Sequence, residues 1–131
     1  MKDRVFGFLA AIAALVAAAA PAAAHHGAAT FATGQQVTMK GVVKEWIWAN
    51  PHCFLKFEVE DKDGTVKLWA AETQNPVAMT PRGFSFRSFK AGDVVTVTLE
   101  PVKNGAPVGR ILSVVTASGE TLIAATATSA P

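Results

Sequence analysis

Three features of the sequence predict a small all-β domain. Short segments rich in Val, Thr, Trp and Phe recur from Val37 onward. One of them, His52 to Glu60, alternates apolar and polar residues without a break. Turn chemistry (Asn-Pro, Asp-Gly, Asn-Gly) separates the segments, and a single short stretch carries a helix start signal.

Val37 to Trp48 is β-branched and aromatic, which favours a strand. Asn50-Pro51 ends it. In the next strand, Cys53, Leu55, Phe57 and Val59 share one face, while His52, Phe54, Lys56, Glu58 and Glu60 share the other. Asp61-Lys62-Asp63-Gly64 is a hairpin turn in which Gly64 supplies a positive φ. Thr65 to Thr73 is a third strand, with Val66, Leu68 and Ala70 facing one way. Asn75 then caps a short helix with Pro76 in its first turn, and Pro81 and Gly83 limit its length. Phe84, Phe86 and Phe89 are expected to plug the end of the core. Lys90-Ala91-Gly92-Asp93 turns into a fourth strand, Val94 to Glu100. Asn104-Gly105 leads to a fifth, Val108 to Thr116, and Glu120 to Ile123 adds a short sixth. The small, polar residues 124–131 read as a flexible tail.

A small antiparallel sheet must close or be covered to hide its edges. Strand-strand-strand-helix-strand-strand is the order of the OB-fold, a five-stranded barrel. The expected fold is thus all-β: a small OB-fold-like five- to six-stranded antiparallel barrel with one short helix between strands 3 and 4. A β-sandwich and an open sheet are the alternatives.

The N-terminus reads as an export signal. Met1-Lys2-Asp3-Arg4 is net positive, Val5 to Ala20 is uncharged and apolar, and Pro21 precedes Ala22-Ala23-Ala24. Positive start, apolar middle and small-residue exit make a secretory signal peptide over residues 1–24. A membrane anchor fits less well, because a spanning helix needs about 20 apolar residues. Removing residues 1–24 of 131 leaves 107, one small domain, comprising an N-terminal arm at 25–36, a barrel at 37–123 and the tail. The cut takes Lys2, Arg4 and Asp3, so the formal charge falls from +2 to +1. A near-neutral domain without a basic face is not expected to bind nucleic acid. No membrane span is expected after cleavage, and the expected location is periplasmic or secreted. The single cysteine, Cys53, excludes an internal disulfide and is expected in the core with Leu55 and Phe57.

His25-His26-Gly27, Trp48-Ala49-Asn50-Pro51-His52, Trp69 and the run Lys90-Ala91-Gly92-Asp93-Val94-Val95-Thr96-Val97 together resemble a family of small secreted proteobacterial proteins classed as a domain of unknown function. Its members commonly begin with a His-His pair, carry an Asn-Pro-His turn and have a Gly-Asp turn before the fourth strand. The resemblance spans nearly all of the mature chain. It implies export and a β-barrel, and it carries no activity.

The three histidines carry the functional expectation. His25 and His26 lie at the expected new N-terminus, and His52 follows the Asn-Pro turn. Neutral imidazole is a good ligand for copper, zinc or nickel. Cleavage before His25 would add its α-amine, whose ordinary pKa near 8 lets a metal displace the proton. This resembles the histidine brace of copper proteins. The expected site is metal: His25, His26, His52, with copper preferred because nitrogen-rich sites bind copper(II) strongly. The blander alternative is a polar start to the chain and a histidine that only hydrogen-bonds its turn.

Trp48, Asn50 and Trp69 are candidates for gripping a small ligand, peptide, glycan or envelope protein partner without metal. Their alternative role, with Trp46, is to cover a strongly curved sheet. The core parity of Trp46 and Trp48 is ambiguous. Arg82 and Arg87 flank the Phe-rich loop as solvated charges or anion contacts. Glu58, Glu60, Asp61 and Asp63 cluster at a hairpin as a solvated strand end. The sequence contains no nucleophile elbow, HExxH, P-loop or paired-cysteine zinc pattern, so no catalysis is expected. A stabilising subunit of an envelope complex is a third, structural expectation.

Overall fold

The computed structural model describes residues 31–126. The expected signal peptide at residues 1–24, and His25 and His26, lie outside the described residues. The strands are β1 (Val37–Ile47), β2 (Phe54–Glu60), β3 (Val66–Glu72), β4 (Val94–Pro101), β5 (Val108–Val115) and β6 (Thr121–Ile123). A helical turn, α1 (Pro76–Met79), and a 3₁₀ turn at Thr80–Arg82 lie between β3 and β4. β1 pairs with both β2 and β4, β2 with β3, and β4 with β5. A β3–β5 ladder closes the ring, and β6 flanks β5. This is the small all-β barrel that the strand order predicts, closed by five strands with a sixth at the side and one short helical segment between β3 and β4; the expected antiparallel pairing holds except in the closing ladder, which is parallel.

Alternation decides what fills the barrel. Val43, Leu55, Phe57, Val95, Val97 and Leu99 are fully buried. Burying each such side chain contributes about 1.5–3 kcal/mol. Asn75 caps α1 by accepting the Ala78 amide at 3.0 Å, and Met79 on α1 plugs the barrel with Phe84 and Phe89. Phe86, expected in that plug, is instead 64% exposed, with the Arg87 guanidinium 5.0 Å above its ring.

Two local features tighten the curve. A Cβ on Gly41 would lie 2.5 Å from the Glu58 carbonyl oxygen, so only glycine lets β1 cross β2 there. A bulge follows between Val43 and Glu45. One extra residue reverses the inward parity of a strand. Odd positions face inward up to Val43, and afterwards Trp46, directly opposite the buried Leu55, takes the inner face. This resolves the parity of Trp46 and Trp48, both of which pack against the core.

β3 turns the other way from the apolar pattern. Val66 and Leu68 are 55% and 51% exposed, whereas Ala71 is buried and Trp69 packs on the core. Register explains it: Leu55 opposes Ala71 and Phe57 opposes Trp69. Residues directly opposite share a face, so the inward side of β2 selects the inward side of β3. Both ends of the described segment are also better fastened than their composition suggests. Phe31, within the expected arm, is buried and bridges Val102. Ala124, at the expected start of the tail, is buried, and its amide donates to the Leu112 carbonyl at 2.8 Å. Among the described residues no helix is long and apolar enough to cross a membrane.

Candidate metal centre at His52

The Asn50-Pro51 turn, whose peptide bond is cis, carries the chain from β1 to His52. The segment is pinned to the end of β3: the Thr73 amide donates to the Cys53 carbonyl at 2.9 Å, and the Cys53 amide to Gln74 at 3.3 Å. His52 Nδ1 lies 3.0 Å from the Thr73 carbonyl oxygen. A carbonyl only accepts, so Nδ1 is the donor in this contact, and in the neutral tautomer it selects Nε2 keeps its lone pair. Metal-ligating histidines are commonly oriented by such a contact. His52 is thereby preset as an Nε2 donor.

His52 stands on the wall of a cleft of about 250 Å³, with Phe31, Glu72, Gln74, Arg110 and Ala124 among its neighbours. Phe31 is the point at which the N-terminal arm joins the described structure. Cys53, next in sequence, is fully buried with its Sγ 3.9 Å from the Ala49 carbonyl oxygen, inside the core and away from the cleft. Among the described residues no group of three His, Cys, Asp or Glu could hold a metal ion. A metal at His52 therefore requires ligands from residues beyond them.

The other candidates are dispersed. Trp46 Nε1 donates to the Ser85 carbonyl at 2.9 Å and its ring meets Trp48 at 5.7 Å and Phe89 at 5.0 Å. Trp48 and Trp69 are half-buried against the core, and Asn50 is exposed. None of the three lines the His52 cleft.

Sequence reasoning missed Glu100 and Arg110. They are register partners on β4 and β5 and form an ion pair. Strand alternation puts both on the outer face, since Leu99, Gly109 and Ile111 are buried. Yet Glu100 is fully buried, because the arm lies over it. Its Oε1 accepts the Gly34 amide at 3.0 Å. Burial raises the Glu100 pKa, but the Gly34 amide and the Arg110 guanidinium outweigh it and hold the carboxyl below its ordinary value. Counting five residues outward in each direction from Gly105 brings these two charges opposite each other, the one signal the sequence held. That the arm covers them has no such signal.

Fold and site together define a small closed β-barrel with a histidine-bearing cleft where its N-terminal arm arrives. The chain belongs to DUF6152, a family of unknown function, which it matches over residues 12–111. No similar curated protein and no similar solved structure was found.

Proposed function

We propose that this chain is an exported metal-binding protein, periplasmic or secreted, that holds one ion, copper preferred, through His25, His26 and His52. The observation that supports the reading is the placement of His52: its Nδ1 is engaged by the Thr73 carbonyl, so that Nε2 is the nitrogen a metal would use, in the cleft whose wall includes Phe31. Only four residues separate His26 from Phe31. Five residue steps of extended chain reach about 17 Å, ample to return from Phe31 to another wall of the same cleft. If the signal is cut before His25, the α-amine and ring of that residue form a chelate, and His26 and His52 complete a nitrogen-rich set that suits copper(II). The protein's work is then to handle or sense metal, without catalysis. A metal-free module using Trp48, Asn50 and Trp69 is less well supported, because both tryptophans spend much of their surface on the core.

Native mass spectrometry of the untagged protein from periplasm tests this directly, since one mass reports cleavage site and bound metal together. The expected species begins at His25 and retains one copper, lost in His25→Ala and His52→Ala. A mature chain that starts elsewhere, or that starts at His25 and ignores added copper(II), removes the proposal.

A further inference from the structure

The segment between β3 and β4 closes one end of the barrel, and its two sides differ. Met79, Phe84 and Phe89 are buried against the core. On the other side stand Val77 and Phe86, 80% and 64% exposed, the two most exposed large apolar side chains among the described residues. The exposure of Phe86 is built in. A tight turn carries it: the Ser88 amide donates to the Ser85 carbonyl at 3.1 Å, and the Ser85 amide to the Ser88 hydroxyl at 2.8 Å. The same Ser85 carbonyl accepts Trp46 Nε1 at 2.9 Å, which ties the turn to β1. The charges of the segment are equally one-sided. Between Glu72 and Asp93 there is no Asp or Glu, while Arg82, Arg87 and Lys90 are all exposed. The whole 131-residue chain nets only +2, so these three cations are a local concentration. Among the described residues none of them pairs with a carboxylate, whereas Lys44, Lys56, Lys67 and Arg110 on the barrel wall each do. The Arg87 guanidinium lies 5.0 Å from the centre of the Phe86 ring, so ring and cation are presented together.

We propose that this capping segment seats the barrel on an anionic phospholipid surface, with Phe86 and Val77 entering the headgroup region and Arg82, Arg87 and Lys90 meeting the phosphates. Apolar side chains flanked by Lys and Arg are the composition that binds such an interface. The cations gain from the negative surface potential, and an aromatic ring settles at headgroup depth. The contact is peripheral, since only side chains enter the interface. An acidic protein would answer the three cations as well. The lipid surface is favoured because a projecting ring needs a matching pocket in a folded partner, whereas a bilayer yields around it. The rigid turn holds Phe86 out before contact, which spares the ordering cost of a loose loop. The proposal does not depend on the metal reading above.

The test is sedimentation of the untagged protein with vesicles of phosphatidylglycerol and phosphatidylethanolamine, against vesicles of phosphatidylcholine alone. The wild type is expected to pellet with the anionic vesicles at low salt, to be released at high salt, and to stay in the supernatant with the neutral ones. Arg82→Gln/Arg87→Gln is expected to weaken vesicle binding about 25-fold, since each basic residue near an anionic surface is worth about fivefold. Phe86→Ala is expected to weaken it about tenfold, and it covers the case in which the charge variant does not fold. Lys62→Gln/Lys103→Gln removes the same charge from the β2–β3 and β4–β5 turns, at the far ends of strands that lead to or from the capping segment, and is expected to bind as the wild type does. All forms share one N-terminus, so differences between them report the segment. A wild type that stays in the supernatant with both vesicles, or pellets equally with both, overturns the proposal. So does a Lys62/Lys103 variant that loses as much affinity as the arginine variant, because net charge alone then accounts for binding. A wild type that ignores vesicles yet is retained by immobilised polyglutamate overturns the lipid surface in favour of an acidic protein.

Discussion

The barrel interior and the patch under the N-terminal arm are both buried, and they are buried by different means. The interior is Val43, Leu55, Phe57, Val95, Val97 and their neighbours, apolar on every wall. The arm patch is an ion pair, an amide-carboxylate hydrogen bond and a ring beneath a guanidinium. Apolar burial is non-directional and scales with area, so the interior specifies compactness. Charged hydrogen bonds are directional, so the arm patch specifies where one segment lies. Among the described residues Glu100 is the buried charged group, and it serves the second purpose. The contrast implies that the arm can come off while the barrel stays folded.

The largest effect should come from the interior. Phe57 is fully buried and opposes Val43 on β1 and Trp69 on β3. Phe57→Ala is expected to cost about 3–5 kcal/mol, read as a lower urea midpoint with barrel and arm unfolding together. A small cost would mean that the interior collapses around the gap, and would erase the distinction in its favour.

The interior was the legible part of the sequence, and its limits are physical. β2 could be read in full because its period of two is unbroken from Cys53 to Val59. β1 could not, because the bulge after Val43 flips the parity midway, and a bulge has no side-chain signature. β3 pointed the wrong way because Val66 and Leu68 look like a core face, while the register with β2 puts Trp69 and Ala71 inside. His52 and the buried Cys53 were legible from alternation. The arm patch was not: strand parity marks Glu100 and Arg110 as solvated, and only the path of residues 31–35 buries Glu100 and covers Arg110 in part. Local patterns report which face a residue takes on its own strand. They are silent on what another segment lays over that face.

An acid titration sharpens the contrast next. The folded Glu100 carboxyl has a pKa below its ordinary value of 4.5. A lowered pKa gives stability that is fully present above 4.5 and is lost as pH falls through the folded value. Protonation would weaken both the Arg110 pair and the Gly34 contact. On titration from neutral pH to well below 4.5, protection at Ala32 and Gly34 is therefore expected to fall before protection at Val97. Amide exchange followed by NMR reads the order. Simultaneous loss at all three sites would show that the arm and barrel are one cooperative unit.

The smallest expected effect lies between the two regions. Trp46 belongs to the interior by its ring, which packs edge-on against Phe89 at 5.0 Å, and to the directional class by its Nε1, which donates to the Ser85 carbonyl at 2.9 Å. That hydrogen bond ties the strand after the bulge to the loop that plugs the barrel. Trp46→Phe keeps an aromatic ring and removes the donor. A neutral hydrogen bond is worth about 0.5–1.5 kcal/mol net, and the smaller ring adds a modest packing loss. The urea midpoint is therefore expected to move far less than in Phe57→Ala, and arm exchange at Gly34 is expected not to change. If Gly34 did loosen, the plugging loop and the arm would be coupled through the barrel, and burial by area and burial by direction would not be separable in this fold.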